Sequence, residues 1–578
     1  MILLNPRRLD LSLYDPPTQE ILAKTVDFFE RKGKRCLKED DRAHTWYADF
    51  LNFQKREKLF ATLLTPSEFG FSPDCRWDTW RNCAFNELLG FYGLAYWYTW
   101  QVSILGLGPV WMSTNEALKR RAARLLEEGE VFAFGLSERA HGADIYATEM
   151  ALTPQPDGSY LANGEKYYIG NANVAPMVST FGKILRPDAR SDPGKQQAAT
   201  SEYVFFAADF RQPHYQVLNN ITASQNFVAH FALRDYPVQP ADLLSCGQEA
   251  WDAALNTVNI GKYNLGWASI GICTHAFYEA LNHAANRRLY GMYVTDFSHV
   301  RQMFTDAYAR LAAMKLFTLR AADYMRSASP ADRRYLLYNP LVKMKVTTQG
   351  EGVINLLWDV IAAKGFEKDT YFEMAARDIR ALPKLEGTVH VNIALIVKFM
   401  ANYFFASGDY PEMARRSDAA DDLFLFNQGP ARGLGQVLFH PYHPVFKRFD
   451  LPNVHIFTEQ TRAFKQMLAS SPPSDMQQKD VDFLLALGEI FAAIVYAQLI
   501  LENAEIYAVD NDLVDQIFDC LVRDVSADAL NLYSKPSSTP GQMAACQEML
   551  RKPAVDEGRA GRVWDSLFSL KGVYEMNP

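Results

Sequence analysis

Hydrophobic residues recur at helical spacing over the first 130 residues of the chain. In one of these segments, Ile21, Phe28 and Phe29 fall near one face of a helix. Residues 85–111 are too rich in aromatic side chains for a surface helix, so they predict a buried helix pair. We therefore predict an N-terminal helical domain over residues 1–130.

The pattern changes near Val131, where short β-rich runs begin. Turn signals such as Pro-Asp-Gly and Asn-Gly separate these runs. This spacing predicts a compact antiparallel β domain over residues 131–246. Within it, residues 186–202 are polar and turn-rich and predict an exposed loop.

The helical period returns after residue 246. Four long helical segments predict a C-terminal four-helix bundle over residues 247–407. The four segments cover residues 248–288, 296–327, 333–364 and 388–407. Residues 408–578 are predicted to form an additional helical extension. The predicted fold class is therefore α+β and mostly α.

Composition narrows the functional classes. The 578 residues are 48% hydrophobic and 22% charged, which is ordinary globular composition and excludes a disordered or collagen-like chain. The net charge of −8 argues against a nucleic-acid groove. The seven cysteines are dispersed without a C-x-x-C pair, which favours a reduced cytoplasmic protein without a zinc site. The most apolar run, residues 490–501, is shorter than the roughly 20 residues of a membrane span, so we expect no span.

Three stretches of the chain are candidates for a ligand site. The stretch FAFGLSERAHGAD (132–144) combines a hydroxyl, an acid and a glycine that allows close approach. The stretch NGEKYYIGNANVA (163–175) follows a hairpin signal with two aromatic residues. The stretch RDIRALPKLEGT (377–388) belongs to an irregular passage between helices, and sites are often built in such passages.

Together with the order helical, β, helical, these stretches resemble the acyl-CoA dehydrogenase family over roughly residues 17–407. The resemblance implies an FAD-dependent enzyme that desaturates an acyl-CoA thioester between its α and β carbons. It also implies that an electron-transfer flavoprotein receives the electrons and that the protein is a homodimer or homotetramer. An acyl-CoA oxidase that uses O2, and a non-catalytic binding or assembly protein derived from the family, remain alternatives.

The resemblance assigns roles to particular residues. It implies cofactor contacts for Phe134, Leu136, Ser137, Tyr168, Ile169, Gly170, Arg287 and Thr388. It implies substrate contacts for Ala143, Lys262 and Gly387. Some positions depart from the family pattern, because Gly170 stands where a hydroxyl side chain is expected and Ala362 and Ala363 stand where glycines are expected.

Glu386 is the residue that the resemblance assigns as the catalytic base. The α-proton of a thioester is too weakly acidic for an ordinary carboxylate, so the site has to raise the pKa of this base by burial. Some family members carry the base on a core helix, and the corresponding position here is Gly261, which cannot act as one. On position alone, a glutamate before a helix is explained by the helix dipole. Glu386 and His390 lack a third ligand, so no metal site is predicted.

Overall fold

The computed structural model describes residues 3–186, 200–406, 408 and 410–578. Most of the predicted loop at 186–202 therefore lies outside the described residues. The N-terminal region is helical, as predicted. Its helices are α1 (Pro16–Ala43), α2 (Ala48–Arg56), α3 (Leu59–Leu64), α4 (Thr79–Tyr92), α5 (Leu94–Met112) and α6 (Glu116–Glu127).

Helices α4 and α5 are the buried pair that the aromatic stretch predicts. Gly93 joins the two helices and its N–H ends α4 by donating to the Leu89 carbonyl at 3.0 Å. Apolar residues lie on all sides of α5, and nearly all of them are buried. Helix α5 packs against the first strand of the β region on one side and against a long helix of the bundle on the other.

The β region forms one sheet in which eight strands are described. The strands are β1 (Phe132–Gly135), β2 (Ala151–Pro154), β3 (Tyr160–Gly170), β4 (Met177–Arg186), β5 (Thr200–Ala208), β6 (Tyr215–Asn220), β7 (Val228–Val238) and β8 (Leu243–Cys246). Their order is β6-β7-β3-β2-β4-β5-β8, and β1 pairs with β4. The prediction of a purely antiparallel domain is wrong in one respect, because β1 and β2 both run parallel to β4. The chain reaches β4 from both strands by longer connections instead of tight hairpins.

A buried ion pair joins the first two motif stretches. The Lys166 ammonium on β3 donates to the Glu138 carboxylate at 2.7 Å and to the Leu136 carbonyl at 3.0 Å. Burial lowers the pKa of Lys166 to about 8, and the charge of Glu138 opposes this shift. The Tyr167 N–H also donates to the Ser137 carbonyl at 2.9 Å. The end of β1 is therefore tied to the middle of β3.

The bundle region contains the predicted helical segments in modified form. Its elements are α7 (Gly247–Asn286), strands β9 (Arg288–Leu289) and β10 (Met292–Tyr293), α8 (Ser298–Arg326), α9 (Tyr335–Leu341), α10 (Thr347–Ile361), α11 (Tyr371–Asp378), α12 (Val389–Ile396) and α13 (Met400–Phe405). A π-helical turn, Val342–Val346, separates α9 from α10. It follows Pro340, which lacks the N–H that would continue the α-helical ladder.

The extension is helical as well. It contains α14 (His443–Lys447), α15 (Pro452–Ser470), α16 (Val481–Ile506), α17 (Asn511–Tyr533), α18 (Pro540–Met549) and α19 (Glu557–Phe568). By length and composition alone, α16 could cross a membrane, since its mean hydropathy reaches 2.1. However, 83% of that stretch is buried inside the protein, where α16 packs on α8, α12 and α17. A core helix of a large protein has this property too.

The C-terminal tail returns to the first helix. The Arg7 guanidinium donates to the side chain of Asn577 at 3.0 Å, and the Lys34 N–H donates to the Asn577 carbonyl at 2.7 Å. Gly33 has φ 74 and lies so close to the Pro578 carbonyl that a side chain there would collide with it. The extension is thereby anchored at both of its ends.

We expect Lys166→Met to destabilise the protein by about 3 to 5 kcal/mol, because the buried Glu138 carboxylate then lacks its cation. Denaturant unfolding followed by circular dichroism measures the loss. Lys183→Met on β4 is the control, since the Lys183 side chain is only partly buried and lies 6.0 Å from the Tyr203 ring centroid. Equal midpoints for the two variants would contradict a structural role for the ion pair.

Candidate active site

Glu386 lies in a backbone conformation that is unusual for a residue other than glycine. Its φ is 53°, and the following Gly387 has φ 83. The loop then enters α12, where the Thr388 hydroxyl accepts a hydrogen bond from the Val391 N–H at 3.4 Å. A left-handed conformation costs about 1 to 2 kcal/mol for an L-residue, and such strain is concentrated at functional sites. Glu386 therefore precedes the helix cap instead of serving as it.

The Glu386 carboxylate faces helix α7 at Gly261. A Cβ atom built on Gly261 would lie 3.4 Å from the Oε2 atom of Glu386. The Gln101 amide of α5 lies at the same place and donates to the Gly261 carbonyl at 3.0 Å. Positions 261 and 386, the two places where the family resemblance allows a base, therefore lie next to each other. Only position 386 carries an acidic side chain.

Two buried lysines flank this carboxylate. Burial lowers the pKa of Lys262 on α7 to about 8, and the charge of Glu386 opposes the shift. Burial also lowers the pKa of Lys343 to about 7, and the charge of Lys262 lowers it further. The Lys343 ammonium donates to the Pro383 carbonyl at 2.7 Å and to the Gly387 carbonyl. Lys343 therefore holds the loop that carries Glu386 from both sides.

The balance of these effects sets the pKa of Glu386. Burial raises this pKa, and the ammonium groups of Lys262 and Lys343 lower it, so that it stands at about 7. A carboxylate with this pKa is a much stronger base than one in water, and half of it is ionised near neutral pH. The site can accept a proton from a weak carbon acid.

The second motif stretch reaches the same region from the β side. The pairing of β3 with β7 shifts register between Lys166 and Ile169. This irregularity turns Tyr168 outward, with φ 67 and 60% of the residue exposed. Next to it, Gly170 packs against the ring of Tyr98 on α5. Helix α5 is therefore the link between the β rim and Glu386.

The other predicted residues of the β rim occupy different environments. Phe134 is buried and stacks on Phe205 with ring centroids 5.8 Å apart, and Ile169 is 2% exposed. Leu136 and Ser137 are partly buried at the end of β1, whereas Ala143 is exposed in the following loop. Leu136, Ser137 and Ala143 thus remain accessible to a ligand, whereas the Phe134 and Ile169 side chains belong to the core.

Arg287 lies away from Glu386, at the far end of α7. It borders a cavity of about 600 Å³ that Lys34, His283 and Lys364 also line. Among the described residues, Arg287 has no ion pair. The Nε2 atom of His283 is buried without a hydrogen-bond partner, and burial and then the charges of Arg287 and Lys364 lower the pKa of this histidine. Glu279, Asp369 and Glu575 also line the cavity, and Lys34 is paired with Glu279 at 3.2 Å. Arg287 and the Nε2 atom of His283 are therefore the groups that suit an anionic ligand such as a phosphate.

Ala362 and Ala363, which stand where the family pattern has glycines, lie beside this cavity. Ala362 ends α10 at φ 54 and ψ −137, a conformation that glycine adopts much more easily. Ile361 and Lys364, on either side of it, both line the cavity. The backbone shape expected of a glycine is therefore present at position 362 although the glycine is absent.

Three residues of the site were not predicted from the sequence: Tyr98, Gln101 and Lys343. Gln101 is a polar residue within the most apolar helix of the N-terminal region, and Lys343 is a charged residue within an apolar helical segment. Buried polar groups of this kind need partners, which is a signal that the sequence carries. The sequence carries no comparable signal for Tyr98, because tyrosine is common in buried helices.

One group of possible metal ligands lies elsewhere in the described part of the chain. Asp306, Asp519 and Cys520 place one ligand atom each within 4.8 Å of one another. The Arg523 guanidinium already donates to Asp306 at 2.8 Å and forms an ion pair with Asp519 at 2.9 Å. We interpret this group as a structural ion-pair cluster.

Comparisons with known proteins agree with the motifs. The family model "Acyl-CoA dehydrogenase, C-terminal domain" matches residues 249–401. A 3-(aryl)acrylate reductase of Clostridium sporogenes is 22% identical over 51% of this chain and 75% of that protein. The short-chain specific acyl-CoA dehydrogenase of Megasphaera elsdenii is 22% identical over 67% of this chain and 98% of that protein. The match to the very long-chain specific enzyme of Rattus norvegicus, at 24% identity, covers 49% of this chain and 43% of that protein.

A solved structure is also similar to this chain over the C-terminal extension, residues 408–578. The acyl-CoA dehydrogenase of Bacillus anthracis, complexed with FAD, superimposes with a TM-score of 0.75 at 15% identity. The match covers 98% of this chain and 96% of that one. The fold of residues 408–578 is therefore shared with a solved protein.

We expect Lys262→Met to raise the pKa of Glu386 above about 7, because the variant removes a positive charge that lowers it. Infrared difference spectroscopy of the protonated carboxyl band measures the midpoint, with Glu386→Gln identifying the band. Lys345→Met is the matched control, since Lys345 is also a buried lysine, on the π-helical turn that carries Lys343, but interacts with Asp524 and Asp528. An unchanged or lowered midpoint in Lys262→Met would refute the proposed electrostatics.

Proposed function

The chain belongs to the acyl-CoA dehydrogenase family, and we propose that it desaturates an acyl-CoA thioester between the α and β carbons. One observation carries the proposal. Glu386 combines a strained backbone, a pKa of about 7 and two flanking ammonium groups at the position where the family has its base. A structural glutamate before a helix needs none of these three properties.

In the proposed reaction, the Glu386 carboxylate removes the α-proton of the thioester. The base becomes neutral as negative charge develops on the substrate. The ammonium groups of Lys262 and Lys343 remain beside that charge and stabilise it in a region of low dielectric. Because Lys343 also binds the Pro383 and Gly387 carbonyls, the loop keeps its position while the proton moves.

The residues present fit FAD. When bound, FAD supplies the acceptor for the hydride that leaves the β-carbon. Tyr168, Leu136 and Ser137 lie at the accessible end of the β region and would hold the ring system. Arg287 and the unpartnered Nε2 atom of His283 suit the phosphates. The match is incomplete at Gly170, which has no hydroxyl to offer.

The length of α7 supports the proposal that the protein is an oligomer. Lys262, beside Glu386, and Asn286, before Arg287, are 24 residues apart on one continuous helix. At 1.5 Å per residue this is about 36 Å, which is longer than a flavin dinucleotide. A cofactor at Glu386 of one subunit would therefore meet Arg287 of another. The nearby hairpin also exposes Tyr290, at 95%, and Met292, at 43%.

The electron acceptor remains a separate proposal. An electron-transfer flavoprotein is the partner that the family resemblance favours, and O2 is the acceptor if the protein is an oxidase. A non-catalytic scaffold is the contrasting class, and it would not need the raised pKa of Glu386. Anaerobic reduction of the flavin by substrate, followed by exposure to air, distinguishes a dehydrogenase from an oxidase, because O2 is the acceptor only of the oxidase.

We expect Glu386→Gln to lower the rate of anaerobic flavin reduction by roughly 10²- to 10⁴-fold, because the amide cannot accept the α-proton. The assay mixes the purified holoenzyme with a panel of acyl-CoA thioesters and follows flavin bleaching. The control is Glu165→Gln, whose carboxylate on β3 binds His230 and Arg234 outside the site. Bleaching by Glu386→Gln at the parent rate would show that another group is the base.

We expect the rate of flavin reduction to rise with pH through about 7. The pKa of Glu386 lies there, and only the ionised form accepts a proton, so a larger fraction is active at higher pH. The pH dependence of the single-turnover rate tests this expectation. A rate with no ascending limb as the pH approaches 7 from below would be inconsistent with a carboxylate base. Deprotonation of Lys343 and Lys262, with pKa values of about 7 and about 8, lowers the rate only above that limb.

We expect co-expressed Arg287→Met and Glu386→Gln subunits to regain activity that each variant lacks alone. If Arg287 serves the neighbouring site, one site of the mixed dimer receives both intact residues. If Arg287 served its own site, every site would lack one of them. Activity of differently tagged, co-purified dimers distinguishes the two arrangements.

A further inference from the structure

One face of helix α5 lies between the β region and the bundle and contacts both. Tyr98, Gln101, Val102 and Leu105 follow the spacing i, i+3, i+4 and i+7, so their side chains project from the same face. Tyr98 and Val102 contact Gly170 at the end of β3. Gln101 and Leu105 contact Gly261 of α7, directly beside Glu386.

Gly170 has no side chain because Tyr98 occupies the space. A Cβ atom at position 170 would lie 2.6 Å from Cε1 of Tyr98 and 2.8 Å from Cγ2 of Val102. The backbone of Gly170 is not left-handed, so its conformation does not require glycine. The family resemblance places a hydroxyl side chain here. In this chain, an aromatic ring from α5 fills that volume instead.

On the side of this face that contacts α7, the side chains are packed equally tightly. A Cβ atom on Gly261 would lie 2.6 Å from Cδ2 of Leu105 and 3.1 Å from Nε2 of Gln101. Gln101 is fixed, because its Oε1 accepts from the Asn264 side chain at 3.0 Å while its amide donates to the Gly261 carbonyl. At Gly261, α5 and α7 are therefore in direct contact, and a hydrocarbon chain cannot pass between them at that point.

We propose that Tyr98 is a specificity-determining residue that limits the substrate to a short acyl group, a proposal that rests on the function given above. A substrate with its α-carbon at Glu386 would lie beside Gly261, where Leu105 and Gln101 of the same α5 face close the space, and Tyr98 closes it toward β3. Burial and then the charges of Glu386 and Tyr168 raise the pKa of the Tyr98 phenol, which agrees with a position between these two residues.

The first test measures kcat/KM of the holoenzyme for straight-chain acyl-CoA thioesters of increasing length. We expect the parent to prefer butyryl-CoA, and Tyr98→Ala to raise the ratio of octanoyl-CoA to butyryl-CoA turnover at least about tenfold. Tyr98→Phe is the matched control, because it keeps the ring, and it should keep the parent preference. Equal turnover of both lengths by the parent, or an unchanged ratio in Tyr98→Ala, would overturn the proposal.

The second test needs no activity. Gly170→Ser should lower the melting temperature, since its Cβ atom collides with the Tyr98 ring. The double variant Tyr98→Ala/Gly170→Ser should recover most of that loss, because the ring is gone. Simple addition of the two single effects would overturn the packing argument. If no thioester of any length bleached the flavin of the parent, the proposed function would fail and the substrate limit with it, while the packing result would stand by itself.

Discussion

The site depends on one electrostatic balance, that of a half-buried carboxylate between two buried ammonium groups. Without Lys262 and Lys343, burial alone would push the pKa of Glu386 further upward, and the base would be protonated at neutral pH. Without burial, the base would be too weak. The backbone maintains both the burial of Glu386 and its distance from the positive charge. The Lys343 ammonium donates to two carbonyls of the loop that carries Glu386 and so fixes that loop.

The sequence pattern was enough to predict the fold class. Helical spacing, short β runs and turn signals identify the order of the regions, and the aromatic stretch identifies α4 and α5 as buried. The domain boundaries themselves stay predictions. The parallel partners of β4 were not predictable, because strand polarity depends on which distant strands meet, and local periodicity is the same for both directions.

The sequence was enough to predict the acidic residue of the candidate site, Glu386, but not most of the residues that surround it. Glu386 and Gly387 stand in a motif stretch, and the family resemblance assigns Lys262, so these three residues are identified from the sequence. Lys343 and Gln101 reach the carboxylate only because α5, α7 and the π-helical turn pack around it. Contacts between elements far apart in the chain follow from tertiary packing, which a single sequence does not display. The assigned roles of the individual residues stay predictions.

The C-terminal tail links the extension to the cavity at Arg287. Tyr574, Glu575 and Met576 line that cavity together with Lys34, and Asn577 binds the backbone of α1. A ligand that enters the cavity therefore favours the docked arrangement of the tail, and a docked tail favours the ligand by the same free energy. Through this reciprocity, the C-terminal tail and the extension that precedes it share in the affinity for whatever molecule the cavity binds.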